Sequence, residues 1–118
     1  MNQETKISLQ THGDIIIFDI QGDVTSFSEP VFKEAYQNAN SQSRGKIVLK
    51  YNENAYINSG GIAVIIQLLA ETRKNGQEIF ITGLSVHFQK IFNMVGITKF
   101  AKIYDSMDEA LTDLVGQA

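Results

Sequence analysis

The chain has 118 residues, of which 43% are hydrophobic and 19% are charged, so it can form one core and is not a disordered chain. Its 10 basic and 13 acidic residues leave a formal net charge of -3, which argues against a nucleic-acid binder. The absence of cysteine excludes a disulfide scaffold, a thiolate metal site and a cysteine nucleophile.

The first elements predicted along the chain are two strands joined by a tight turn. Ile7 and Leu9 alternate with polar neighbours, His12-Gly13-Asp14 is typical of a turn, and residues 15–20 are a β-branched run. The pattern predicts a β-hairpin.

A helix is predicted over residues 27–40, with Ser28 as its N-cap and Pro30 in the first turn, where proline is tolerated. Its apolar stripe comprises Val31, Phe32, Ala35, Tyr36 and Ala39. The polar segment 40–45 is short, which indicates a connection within one domain rather than a domain boundary.

Residues 46–51 predict a second strong strand, and a helix is then expected from Ser59 to about Lys74. Its expected inward stripe is Ile62, Ile65, Ile66 and Leu69. Asn75-Gly76 closes this helix, because glycine accepts the left-handed conformation that a helix end needs. Residues 78–82 predict a further strand.

The last third of the chain predicts two helices around a short strand. Ser85 is the expected N-cap of the first, which Gly96 ends, and its apolar face comprises Phe88, Ile91, Phe92 and Val95. Residues 102–104 predict the strand. Ser106 and Glu109 then form a capping-box pattern. The side chains expected to point inward from the final helix are Ala110, Leu111, Leu114 and Val115.

Strands that alternate with helices predict an α/β fold with a mostly parallel sheet and right-handed crossovers. The early hairpin adds an antiparallel strand, so the expected architecture is a mixed sheet with about four helices in a single domain, residues 1–118. The polar start, residues 1–6, lacks the apolar run of a signal peptide, and the longest apolar run, 62–66, is too short to span a bilayer. We therefore expect a cytoplasmic protein that does not insert into a membrane.

Catalytic signatures are missing: the sequence has no G-x-S-x-G elbow, no Walker loop and no H-E-x-x-H motif. His12 in a turn and His87 on a short helix are best explained as surface residues. Asp105, Asp108 and Glu109 cluster where a helix starts, and there they complement the helix dipole. We expect no enzymatic activity, no cofactor and no metal site.

One segment is unusual, because Asn58-Ser59-Gly60-Gly61 links an aromatic-apolar pair to a buried helical face. Read structurally, Asn58 or Ser59 caps the helix and the two glycines allow a tight turn or a close approach. Read functionally, a hydroxyl at a helix N-terminus suits a phosphate, because free N–H groups and the dipole both favour an anion there.

Residues 57–64, Ile-Asn-Ser-Gly-Gly-Ile-Ala-Val, resemble the signature loop of STAS-domain anti-sigma-factor antagonists, which reads apolar, Asp, Ser, Ser or Thr, Gly, and then an apolar helix. Residues 22–25 resemble the Gly-Glu-Leu-Asp turn of that family. Residues 46–51 are similar to the strand before its phosphorylated loop, and 88–97 to its late helix with a glycine exit. The resemblance therefore spans nearly the whole chain.

The resemblance implies that Ser59 is the phosphorylated residue. Two positions depart from the family pattern, because Asn58 stands where an aspartate is usual and Thr25 where an acidic residue is often found. The partner-binding residues implied by the resemblance are Asp23, Thr25, Asn58, Ser59, Gly60 and Gly61.

The family mechanism implied here is a partner switch in bacterial transcription regulation. The unmodified domain binds a serine kinase that doubles as an anti-sigma factor, which frees the sigma factor. Phosphorylation ends the binding and a phosphatase resets it. One alternative is an unphosphorylated STAS subunit of a stress-sensing or membrane-transport assembly. Another is a small hydrolase with Ser59 as its nucleophile, although no nearby base is evident.

Overall fold

The computed structural model describes residues 4–40 and 45–115. Its strands are β1 (Lys6–His12), β2 (Ile15–Gln21), β3 (Lys46–Lys50), β4 (Glu78–Thr82) and β5 (Ala101–Tyr104). Its α-helices are α1 (Glu29–Asn40), α2 (Ser59–Lys74), α3 (Val86–Met94) and α4 (Met107–Val115), with 3-10 turns at Ser26–Ser28 and Ile97–Lys99. The predicted connection at 40–45 lies almost wholly outside the described residues. No helix in the described ranges is both long and apolar enough to span a bilayer.

The five strands form one sheet in the order β1-β2-β3-β4-β5, in which β1 is antiparallel to β2 and every other pair is parallel. Each crossover therefore moves one strand over in the same direction. Right-handed crossovers of that kind leave all three connecting helices on one face of the sheet. The predicted mixed, mostly parallel sheet with four helices is confirmed.

The two faces of the sheet carry hydrophobic clusters of different size. The larger cluster joins α1, α2 and α3 to one face and includes Ile16, Phe18, Ile47, Leu49, Ile65 and Phe92. The smaller cluster joins α4 to the other face and comprises Ile15, Ile17, Val48, Phe80, Tyr104, Ala110 and Leu114. Side chains alternate between the two faces along β2 and β3, and both sets are apolar, as in a sheet that is covered on two sides.

Polar contacts complete the packing of α4. The Ser106 hydroxyl accepts the Glu109 N–H at 3.1 Å, which is the serine half of the predicted capping box. Asp113 accepts hydrogen bonds from the Tyr104 hydroxyl and, at 3.4 Å, from Lys102 Nζ. The Tyr104 hydrogen bond is the main reason that the pKa of Asp113 lies below its usual value. These contacts hold α4 against the edge strand β5.

The start of the first helical segment differs from the prediction. Thr25, rather than Ser28, is the N-cap, and the chain enters a 3-10 turn three residues before α1. Ser28 is buried and its hydroxyl accepts the Thr25 N–H at 2.9 Å, so the two residues form a capping box. The serine predicted as a cap is thus the reciprocal partner of the true cap.

Three of the predicted inward positions are wrong, because Ile66, Val95 and Val115 are 45%, 48% and 53% exposed. The buried face of α2 is instead centred on Val64, Ile65, Leu68 and Leu69. A helix with apolar residues over a wide arc leaves several faces available, and the neighbouring elements decide which of them is covered.

Tyr51, which follows β3, contains a buried hydroxyl without a hydrogen-bond partner among the described residues. Its ring packs edge-on against Phe92, with centroids 6.4 Å apart, and burial raises the pKa of Tyr51. We predict that Tyr51→Phe stabilises the protein by up to about 1 kcal/mol, because it keeps the ring and removes an unsatisfied polar atom. Urea unfolding measures this change.

Tyr36→Phe is the matched control for that substitution. The Tyr36 hydroxyl is also in the core region, but it donates to Gln77 Oε1 and accepts from Asn75 Nδ2 at 2.7 Å. Its removal is expected to cost about 1 kcal/mol. If Tyr51→Phe destabilises the protein as much as Tyr36→Phe, the Tyr51 hydroxyl has a partner and the prediction is wrong.

Candidate functional site

The candidate site lies where β2 and β3 end and α2 begins. Asn58 is the N-cap of α2, with φ -91° and ψ -178°, and its Oδ1 accepts the Gly61 N–H at 2.8 Å. Because the asparagine side chain does the capping, the Ser59 side chain is left exposed at the first position of the helix. This resolves which of the two polar residues caps the helix.

A single parallel bridge between Val24 and Ile57 joins the loop after β2 to the loop before α2. The Val24 N–H donates to the Tyr56 carbonyl at 2.8 Å, and the Asn58 N–H donates to the Val24 carbonyl at 3.1 Å. Val24 and Ile57 are both buried. Ser59 is therefore carried by a loop that is hydrogen-bonded on both sides of the bridge.

The glycine pair allows the two loops to touch. A Cβ atom on Gly61 would lie 2.1 Å from the Val24 carbonyl oxygen, and one on Gly60 would lie 2.9 Å from the Ser26 nitrogen. Both neighbours are backbone atoms, which cannot swing aside as a flexible side chain can. Glycine is thus required here for close approach rather than for an unusual backbone angle.

The loop after β2 is held by a small polar network. Thr25 Oγ1 accepts the Phe27 N–H at 3.1 Å. Ser28 as a residue is only 2% exposed, and its hydroxyl is hydrogen-bonded to the Thr5 hydroxyl. The Thr5 hydroxyl also donates to the Asp23 carbonyl. The half-buried Asp23 and Thr25 therefore have local structural contacts beside the site.

Two exposed aromatic side chains lie on these same loops, and sequence reasoning did not assign them to the site. Phe27 is 90% exposed and Tyr56 is 53% exposed. The predicted helix over residues 27–40 masked this, since it counted Phe27 as the first residue of a helix rather than as part of an exposed turn. The 3-10 turn instead directs its ring into solvent. One signal in the sequence could have indicated the turn. Phe27 lies between Ser26 and Ser28, and serine is common in turns and at helix caps.

The two loops are acidic. Residues 21–30 and 51–58 contain Asp23, Glu29 and Glu53 but no lysine or arginine. Lys50, the last residue of β3, lies 3.9 Å from Asp19 in an ion pair. The loop surface around Ser59 therefore carries negative charge before any modification.

Other candidate chemistry lies elsewhere. His12 pairs with Ile15 at the start of β2. It therefore lies at the other end of the strands from Ser59, which follows the ends of β2 and β3. His87 is exposed on α3, where its ring contacts Phe88 with centroids 5.1 Å apart. Within residues 4–40 and 45–115, no three acidic or histidine side chains are grouped closely enough to hold a metal ion.

Comparisons with known proteins place the chain in a family. The model of the STAS domain matches residues 6–110. An anti-sigma factor antagonist from Mycobacterium paratuberculosis is similar in structure, with a TM-score of 0.75 and 15% identity over 93% of each chain. A putative anti-sigma factor antagonist from Thermotoga maritima gives a TM-score of 0.75 and 17% identity over 91% of this chain and 92% of its own.

The antagonist SpoIIAA is similar in two states. Its unphosphorylated form gives a TM-score of 0.72 and 14% identity over 93% of this chain and 96% of its own. The phosphorylated form of this Bacillus cell fate determinant gives a TM-score of 0.65 and 13% identity over 92% and 98%. At these identities the likeness is one of fold, whereas the family model spans most of the sequence. The chain therefore belongs to the STAS domain family.

Proposed function

We propose that this protein is an anti-sigma-factor antagonist that acts by binding rather than by catalysis. In its unmodified form it binds an anti-sigma factor that is also a serine kinase, and so frees a sigma factor. Phosphorylation of Ser59 ends the binding, and a phosphatase restores it. The cytoplasm, where sigma factors act, is the compartment that this role requires.

The observation that carries the proposal is the exposed Ser59 hydroxyl at the first position of α2. Asn58 caps the helix, so Ser59 is free to be modified without loss of a structural hydrogen bond. A phosphate there would meet the positive end of the helix dipole, so the fold can tolerate it. The similarity to antagonists, one of them known in phosphorylated and unphosphorylated forms, supports the same role.

A second candidate, an unphosphorylated STAS subunit of a larger assembly, is favoured by one observation. The neutral Asn58 and Thr25 both cap helical turns, so both have a structural function without any kinase. A stable complex that contains this chain and whose formation does not depend on Ser59 would support this candidate.

The test begins with the kinase. Affinity purification on the unmodified wild-type protein, with Ser59→Asp as the counter-bait, should retain a serine kinase on the first and lose it on the second. Incubation of the purified kinase with ATP and this protein, followed by mass spectrometry, should then locate the phosphate on Ser59. Phosphate on another residue, or none, contradicts the proposed function.

Asn58→Asp tests the departure from the family pattern. If the kinase recognises a carboxylate before the serine, this variant should be phosphorylated faster than the wild type. Its stability should stay within about 0.5 kcal/mol, because aspartate and asparagine are similar N-caps. The readouts are the initial phosphorylation rate and the urea unfolding midpoint. An unchanged rate means that the kinase reads the loop without a charge at this position.

A further inference from the structure

Phe27 is the most exposed of the large apolar side chains in the described part of the chain, at 90%. Burial of an exposed phenyl ring against a partner would contribute about 1.5–3 kcal/mol to the free energy of binding. Met94, at 82% exposure, is the next in rank. Exposure alone does not make a binding site, so the position of Phe27 has to be considered.

The backbone of Phe27 is held before any partner arrives. Its N–H donates to Thr25 Oγ1 at 3.1 Å, and the Ser28 N–H donates to the Thr25 carbonyl at 3.0 Å. The buried Ser28 hydroxyl and the Thr5 hydroxyl fasten this turn to the start of the chain. A side chain presented on an ordered turn loses less entropy on binding than one on a loose loop.

Phe27 is also close to Ser59. Its chain neighbour Ser26 touches Gly60, the chain neighbour of Ser59, with the Ser26 nitrogen 2.9 Å from where a Gly60 Cβ would lie. The turn that carries Phe27 and the helix start that carries Ser59 are therefore adjacent parts of the surface. Hot spots of protein interfaces are commonly single aromatic side chains that fill a pocket of the partner.

The charges of the two loops indicate the chemistry of that partner. Residues 21–30 and 51–58 contain three acidic residues and no lysine or arginine, so these two segments have a net negative formal charge. Complementary potentials favour a basic partner surface and speed its association. A phosphate on Ser59 would still weaken the complex. Once the partner covers Phe27 and its surroundings, the phosphate loses its hydration, and this cost opposes binding.

We propose that Phe27 is the apolar anchor of the partner interface, and that it enters an apolar pocket flanked by lysine or arginine on the kinase. This inference rests on the proposed function and adds a residue and a partner chemistry to it. Phe27 contributes affinity for the kinase, whereas the phosphorylation state of Ser59 determines whether the complex forms.

The experiment measures the affinity of the purified kinase for unmodified wild type, Phe27→Ala, Phe27→Leu and Met94→Ala by titration calorimetry. Phe27→Ala should raise the Kd at least about tenfold, Phe27→Leu should raise it less, and Met94→Ala should leave it within about threefold. All variants should unfold at the wild-type temperature, since both side chains are exposed. The association rate should fall as salt is added.

Four outcomes decide the inference. A Kd for Phe27→Ala within about threefold of wild type, while Ser59 is still phosphorylated, overturns the anchor and leaves the proposed function intact. An equal loss in Met94→Ala also overturns it, since the effect is then not local. An association rate independent of salt overturns the basic pocket rim. If no kinase binds the wild type, the proposed function is wrong and the anchor falls with it.

Discussion

Ser59→Asp is expected to weaken binding of the kinase by about 1–3 kcal/mol, and phosphorylation of Ser59 by at least as much. A phosphate adds about 1.5 to 2 negative charges and three acceptor oxygens, of which a carboxylate supplies a part. The residue lies at an exposed helix start, so the new charge has to lose its hydration in the interface but does not disturb the core. Ser59→Ala should bind the kinase with wild-type affinity, and ATP should no longer weaken that binding. Calorimetry with the unmodified, phosphorylated and substituted proteins measures all of these values.

Ser106→Asp is the matched control for the charge. Ser106 is likewise an exposed serine at the start of a helix, and its hydroxyl accepts the Glu109 N–H. Aspartate caps as well as serine, so this variant should fold normally and bind the kinase as wild type does. If Ser59→Asp binds as tightly as Ser106→Asp, the switch is wrong and the subunit of a larger assembly replaces it.

Gly61→Ala is expected to destabilise the protein by about 2–4 kcal/mol, even though alanine is the better helix former by about 1 kcal/mol. The added Cβ would lie 2.1 Å from the Val24 carbonyl oxygen and 2.6 Å from its carbon. Relief of that clash requires α2 to move away from the loop, which strains the hydrogen bonds of Val24 to Tyr56 and Asn58. The thermal midpoint should drop by about 10 °C or more.

Gly45→Ala separates the clash from a general effect of losing a glycine. Nothing lies within 4 Å of a Cβ at Gly45, and its backbone is not in the left-handed region. This variant should be neutral or stabilised by about 0.4–1 kcal/mol, because alanine restricts the unfolded chain. A Gly61→Ala protein as stable as Gly45→Ala contradicts the close packing of the β2 loop on α2.

The two glycine contacts also bear on how a partner would distinguish phosphorylated from unmodified Ser59 under the proposed function. The loop after β2 and the start of α2 form one surface, joined at Val24 and Gly61. Because this surface is hydrogen-bonded and closely packed, we expect a phosphate on Ser59 to change its charge rather than its shape. The switch is then local electrostatics at a preformed interface.

Much of the fold was predictable because its signals are local. The hairpin, the bounds Ser59–Lys74 of α2 and the caps at Ser85 and Ser106 each depend on a few neighbouring residues. Strand patterns that alternate with helices were enough to predict a mixed, mostly parallel sheet, since right-handed crossovers leave few other topologies. The exposed position of Ser59 at a helix start followed from the same local pattern.

Only the tertiary structure decided which apolar side chains are buried in the core and which are exposed to solvent. Ile66 and Val115 are exposed although their spacing is helical and apolar, because other elements cover the adjacent faces. The contact of Gly61 with Val24 joins segments far apart in the chain, which no local pattern specifies. Phe27 shares the spacing of the α1 stripe, but Thr25 and Ser28 start a tighter turn that sends its ring into water. Burial depends on which distant segments meet, and the residues around Ser59 meet only in the folded chain.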